Sequence, residues 1–308
     1  MSPAPLLPER LLARLERLQM GTRRRLAGLL VGEHRSPLRG ASLEFSDHRP
    51  YTPGDDIRRI DPHVYARLDV LMVKLFQAED DLQVRLLIDT SASMGMFGKL
   101  DAAARAAAAL GFVALVRRDQ VSVHTFPAPA PAGGGASSAA PGAGIGGALR
   151  ARRFRGRNAA GELFDHLGAL TPGGHTSFLA AARDLLNQPG PPGLTVLVSD
   201  LLTAEWATGI ERLPARGGDV AVVHVLARQE LDPELVGDLD LHDVEGGSPL
   251  PASCSPDTMK AYRQQVSAWL DEVAGRCRSR RIGYVRLLAD DDLEAVLLGA
   301  ARHAEVLV

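Results

Sequence analysis

A chain of 308 residues with 45% apolar and 23% charged residues is long enough for one large core, or a core with an attached segment, and has the balance of an ordinary soluble globular protein. A formal charge of −2 exerts no general pull toward nucleic acid or anionic membrane, and 5% aromatics leaves little for base stacking. Cys254 and Cys277 are too few and too far apart for a zinc site or a disulfide framework and fit a reducing compartment. Residues 1–20 carry too many charges for a signal peptide, and no run reaches the ~20 apolar residues of a membrane span, so the expected location is cytoplasmic.

In chain order, Leu7, Leu11, Leu12, Leu15, Leu18, Leu26, Leu29 and Leu30 recur at helical spacing, predicting one or two amphipathic helices with a break near Gly21, packed on their own domain. In residues 44–61, Asp47, Asp55, Asp56 and Asp61 alternate with Arg49, Arg58 and Arg59 around a Pro-Gly-Asp-Asp turn; proline presets φ and aspartate closes the turn. Taken alone, such alternation reads as a solvated, self-paired loop. Residues 70–77 alternate loosely, as an edge strand leading into the central one would.

Residues 84–88, Val-Arg-Leu-Leu-Ile, read as a buried strand that ends in Asp89-Thr90-Ser91-Ala92-Ser93, followed by an alanine-rich helix over residues 99–118. Strands are predicted at 84–89, 120–126, 194–199, 219–226 and 282–288. Helices are predicted at 158–170, 179–186, 205–213, 256–278 and 292–303. Residues 149–157 read as the returning strand of a hairpin, and a further short strand is expected near 239–244. Residues 127–147 are almost entirely Pro, Ala, Gly and Ser, a flexible low-complexity loop. Its Gly142–Gly147 stretch fits G-x-G-x-x-G but lies between no strand and helix, so it is no dinucleotide fingerprint. Strands alternating with helices predict an α/β fold: a doubly wound, mostly parallel sheet with helices on both faces.

In such a fold the carboxyl ends of the strands form the ligand-binding rim. Asp89, Ser91 and Ser93 stand at one strand end, Asp200 at another, and Thr176 in a loop that opens a helix. Carboxylate and hydroxyl oxygens are hard ligands suited to Mg2+ or Mn2+ rather than zinc.

The order Asp-x-Ser-x-Ser, Thr, Asp resembles the metal-ion-dependent adhesion site (MIDAS) of von Willebrand factor A domains. The resemblance implies a Rossmann-type topology, hydroxyl ligands from Ser91, Ser93 and Thr176, and Asp89 and Asp200 acting largely through water or by orienting the hydroxyls. It also implies a coordination position open to a partner's Asp or Glu. Upstream, Arg35-Ser36-Pro37, Glu44-Phe45, Asp47, Arg49, Tyr51-x-Pro53-Gly54-Asp55-Asp56-x-Arg58-x-Ile60-Asp61 and Val73-Lys74 resemble the bacterial DUF58 family, whose A-type domain follows such a segment. Three departures stand out: Pro62-His63 follows Asp61 where the family usually has tryptophan, Leu201 follows Asp200 where A domains commonly have glycine, and His175 sits beside Thr176.

These readings divide the chain into an N-terminal helical and DUF58-type segment at 1–80, packed on a von Willebrand factor A-like domain at 81–308. Arg49, Tyr51, Asp55, Asp56, Arg58 and Asp61 form the partner-binding or bracing segment. The implied function is a non-enzymatic, metal-dependent protein-binding module partnering a MoxR-type AAA+ ATPase in protein or complex maturation, with no nucleic acid and no membrane span. The alternatives are a structural protein with an inactive metal site and a metal-dependent hydrolase. For the latter the chain shows no Gly-x-Ser-x-Gly elbow, no Walker A lysine and, at Ser91, no second Asp for a dehalogenase-like site.

Overall fold

A computed structural model describes residues 5–22, 43–53, 55, 57, 60–78, 82–127, 151–175, 177–246 and 248–308. They fall into two units, one drawn from Met1–Leu26 and Leu82–Val308, the other from Ala27–Asp81. The leucine periodicity yields a short helix, α1 (Glu9–Leu15), that buries Leu11 and Leu15. Leu26, Leu29 and Leu30 lie outside the described residues. After α1 the chain runs antiparallel to the carboxyl terminus: Gln19 and Val308 exchange both backbone hydrogen bonds, and Gly21 N–H donates to Val306 O. A Cβ on Gly21 would meet Glu305 O at 1.9 Å, so only glycine permits this approach.

In the smaller unit, β1 (Leu43–Pro50) pairs antiparallel with β2 (Met72–Ala78), with a register shift between Phe45 and Asp47. Between them lies α2 (Pro62–Leu68). It starts with proline at its first position, and the side chain of its N-cap, Asp61, accepts from His63 N–H. β2 is therefore not an edge strand of the main sheet, as its position ahead of the central strand suggests; it has its own partner in β1.

The larger unit holds β3 (Gln83–Asp89), α3 (Lys99–Val116), β4 (Gln120–Phe126), β5 (Arg152–Arg155), α4 (Ala160–Gly168), α5 (Phe178–Asn187), β6 (Leu194–Ser199), α6 (Trp206–Arg212), β7 (Asp219–Leu226), α7 (Arg228–Leu231), β8 (Gly237–Leu241), β9 (Leu250–Cys254), α8 (Pro256–Ser279), β10 (Gly283–Leu288), α9 (Leu293–Leu298) and α10 (Ala300–His303). Six strands form the main sheet in the order β10-β7-β6-β3-β4-β5. All are parallel except β5, the returning hairpin strand. β3 and β6 are mostly apolar and buried along nearly their whole length because both of their faces are covered.

On one face α3 packs with α1, α4 and α9; on the other lie α5, α6 and α8. The alanines of α3 let its backbone lie close to its neighbours, and a Cβ on Gly111 would meet Leu163 at 2.6 Å. The predicted strands and most helices are present. The last helix is two, α9 and α10, divided at Gly299. The short strand is placed at 237–241 and has a partner, β9, that the sequence reading does not include. Residues 128–147 of the low-complexity loop lie outside the described residues.

Candidate metal centre

β3, β6 and β7 are neighbours in the sheet, and their carboxyl ends lie side by side. β3 ends at Asp89, β6 at Ser199 with Asp200 next, and β7 at Leu226, four residues before Glu230. Asp89 is fully buried and uses both carboxylate oxygens: Oδ1 accepts from Ser91 N–H at 2.9 Å and Oδ2 from Ser199 Oγ at 2.6 Å. Ser93 Oγ donates to Asp200 Oδ2 at 2.8 Å. With that proton spent, the 3.0 Å contact between Ser91 Oγ and Ser93 Oγ has Ser91 as donor. Asp200 Oδ1 accepts from Leu202 N–H at 3.1 Å. The turn puts Leu201 in the left-handed region, φ +55°, where a glycine would sit without strain; its buried side chain packs in the core instead. The departure at Leu201 thus exchanges backbone ease for apolar burial.

Lys99 opens α3 and is fully buried. Its Nζ donates to Asp200 Oδ2 at 2.7 Å and to Glu230 Oε1. Glu230 Oε2 in turn accepts from Ala227 N–H at 2.9 Å, and its carbonyl accepts from Tyr262 of α8. One ammonium therefore serves two carboxylates. Burial and the charge of Asp200 push the Asp89 carboxyl up to about 7. Burial likewise holds His224, on β7, down to about 4. The neutral imidazole donates from Nε2 to Asp200 O at 2.9 Å and accepts at Nδ1 from Tyr284 OH at 2.9 Å. The Tyr284 hydroxyl is itself pushed up to about 12 by burial.

The donor set fits a hard cation. Oxygens adjacent on a Mg2+ octahedron, each about 2.1 Å from the ion, are about 3 Å apart, and the Ser91–Ser93 and Ser93–Asp200 oxygens are 3.0 and 2.8 Å apart. Asp200 Oδ2 accepts from both Ser93 and Lys99, and each oxygen of Asp89 accepts one hydrogen bond, so the carboxylates orient the loop that carries the two serine hydroxyls. No group of three or more His, Cys, Asp or Glu suited to a metal occurs among the described residues.

Thr176 lies outside the described residues. The chain just before it reaches the same loop: Gly173 N–H donates to Thr90 O at 2.8 Å, and Ala92 N–H to Gly174 O at 3.1 Å. His175 faces Glu245 at 3.5 Å. In the smaller unit, Arg49 grips Asp55 with two bonds of 2.8 and 2.5 Å, and Thr52 N–H adds a third at 2.9 Å. The guanidinium holds the Asp55 carboxyl well below the usual range. Tyr51 N–H donates to Leu71 O at 2.9 Å, and Asp61 accepts from His63 N–H and contacts His48 Nε2, each at 2.9 Å. Asp56 and Arg58 lie outside the described residues.

Sequence reasoning names Asp89, Ser91, Ser93 and Asp200, which the fold brings together, and misses Lys99, Ser199, His224 and Glu230. A signal existed for Lys99: a cation at a helix N-terminus opposes the macrodipole and needs a compensating anion.

The sequence matches the family described as "Protein of unknown function DUF58" over residues 47–140 and 146–268. Uncharacterized protein Rv1480 of Mycobacterium tuberculosis and uncharacterized protein Mb1516 of Mycobacterium bovis are each 29% identical over 295 residues, covering 92% of this chain and 86% of theirs. Among solved structures, the conserved hypothetical protein BatB from Bacteroides thetaiotaomicron is 13% identical with a TM-score of 0.38. An aerotolerance-related membrane protein from Bacteroides fragilis is 15% identical with a TM-score of 0.36. Each alignment covers 72% of this chain and 98% of the other.

Proposed function

This chain belongs to the DUF58 family, and from that premise we propose that it is a non-enzymatic protein-binding module of the von Willebrand factor A type that uses a divalent cation, Mg2+ or Mn2+. The observation that carries the reading is the hydroxyl relay Ser91–Ser93–Asp200 at the ends of adjacent parallel strands, with Asp89 beneath it. Ser91 and Ser93 would hold the cation with Thr176, while Asp89 and Asp200 orient the hydroxyls. When bound, the cation supplies an electrophilic point for a partner's carboxylate. Asp89 fixes the loop through Ser91 N–H and is itself fixed by Ser199. That double engagement favours an orienting role over a hydrolytic nucleophile, which would need a free oxygen. The partner in this reading is a MoxR-type AAA+ ATPase or its client, in the cytoplasm. No helix among the described residues is long and apolar enough to cross a membrane.

The test is a pull-down from lysate with the wild type and the Ser91→Ala/Ser93→Ala double variant, each with Mg2+ and with EDTA. The reading requires an ATPase captured by the wild type in Mg2+ alone. Equal capture in all four arms would place docking on another face. In parallel, Asp89→Asn should remain folded by circular dichroism yet lose the Mg2+-dependent rise in melting temperature; an unchanged rise would remove Asp89 from the site.

A further inference from the structure

The amino-terminal half of the same sheet carries an imbalance of the opposite sign. Arg85, third residue of β3, is only 4% exposed. It lies across from Ser122 of β4, which lies across from Arg153 of β5. Residues directly across from one another share a face, and His124, two positions beyond Ser122, shares it too. Arg85 Nη2 donates to Pro191 O at 2.5 Å, while its buried Nη1 has no partner. Arg216, at the end of the turn before β7, donates from Nη1 to Leu185 O, while its Nε has none. His124 is 1% exposed; Nε2 contacts Ser122 Oγ at 3.1 Å and Nδ1 is unpartnered.

The two guanidiniums flank Gly190: the position a Cβ would take there is 3.6 Å from Arg216 Nη2 and 3.7 Å from Arg85 Nη2. The charges felt by Arg85 and His124 are those of other arginines, and they add to burial in lowering Arg85 to about 10 and His124 to about 4. Among the described residues, none of Arg85, Arg153 and Arg216 has an anionic partner. Residues 128–150 contain no Asp or Glu that could supply one. The cluster grades outward from buried Arg85 through half-buried Arg216 to exposed Arg153, which gives it one edge at the surface.

We propose that Arg85, Arg216, Arg153 and His124 form an oxyanion site for a phosphate group. Guanidinium forks match tetrahedral oxyanions. A phosphate's double charge and several acceptor oxygens answer two or three guanidiniums with unspent donors, whereas one carboxylate answers a single charge. The site lies in the opposite half of the strands from Asp89 and does not depend on the metal reading.

The test is isothermal titration of the whole chain with inorganic phosphate and, separately, with adenosine monophosphate, in chloride buffer of matched ionic strength. Wild type, Arg216→Gln and Arg153→Gln are compared. Both replaced side chains reach solvent, so the variants should fold, and melting curves verify this. Wild type should bind phosphate saturably at one site, each variant about tenfold more weakly. Tighter binding of the monophosphate than of free phosphate assigns the site to a phosphate ester; equal or weaker binding assigns it to the free ion. Absence of saturable binding of either by wild type, or equal binding by all three proteins, would overturn the proposal. The cluster would then be neutralised within the chain, Glu79-Asp80-Asp81 being the nearest acidic run in sequence.

Discussion

At the carboxyl end of the sheet Asp200 and Glu230 share one ammonium from Lys99, and the charge of Asp200 acts on buried Asp89 beside them. In the amino half, three guanidiniums and an imidazole share no carboxylate among the described residues. Arg85 and Asp89 stand four residues apart on one strand, about 13 Å. The difference is that the anionic cluster carries an internal counterion and is partly neutral on its own, while the cationic cluster must find its counterion elsewhere. Deleting a charge from each should therefore move stability in opposite directions.

The largest effect is expected at Lys99. Lys99→Met strips the ammonium from Asp200 and Glu230 and leaves buried carboxylates uncompensated, so it should cost about 3–5 kcal/mol in urea denaturation without divalent metal. Mg2+ should restore part of the loss, since a bound cation would replace the missing charge. A loss that Mg2+ leaves untouched would mean Lys99 serves packing alone.

The next effect is in pH. The folded His124 is held near 4, below the unfolded value of 6.5, so the unfolded chain takes up a proton first as pH falls. The fold then loses stability between pH 6.5 and 4 and is level outside that window, by an amount of order 3 kcal/mol. His124→Gln in chloride buffer should lack this part of the acid loss. Parallel pH profiles for variant and wild type would show that the imidazole is not held neutral.

The smallest effect is at Arg85. Arg85→Met removes a buried cation with an unspent Nη1 at the expense of its bond to Pro191 O. It should raise stability by about 1 kcal/mol in chloride. A loss comparable to that of Lys99→Met would erase the contrast between the two ends of the sheet.

The parallel strands are legible because 84–88 and 194–198 are mostly apolar, interrupted only by Arg85 and Thr195, and are bounded by turn residues, as buried parallel strands are. β9 was not: Leu250-Pro251-Ala252-Ser253-Cys254 lacks alternation and contains proline, and it pairs at a two-stranded edge that no core pattern marks. Asp89, Ser91, Ser93 and Asp200 were legible because their spacing is itself the signal. Arg85 and Lys99 were not, because single charges inside an apolar strand or an alanine helix look like noise to any windowed reading, and their meaning lies in partners from 101 to 131 residues away for Lys99 and 106 for Arg85. Leu201 stands out in the sequence as a departure, but only its φ of +55° explains why glycine would be at ease there.

The clasp between Gln19–Gly21 and Val306–Val308 has a consequence for modularity. It anchors the chain on the larger unit before residue 27, and β3 returns to that unit at once after residue 81. The smaller unit is therefore an insertion with both stems fixed on one host. If it melts, the host need only close a loop spanning residues 27–81, and loop entropy grows slowly, about 0.6 kcal/mol per doubling of length. Calorimetry of the intact chain should accordingly resolve the insertion as its own transition, separable from that of the host.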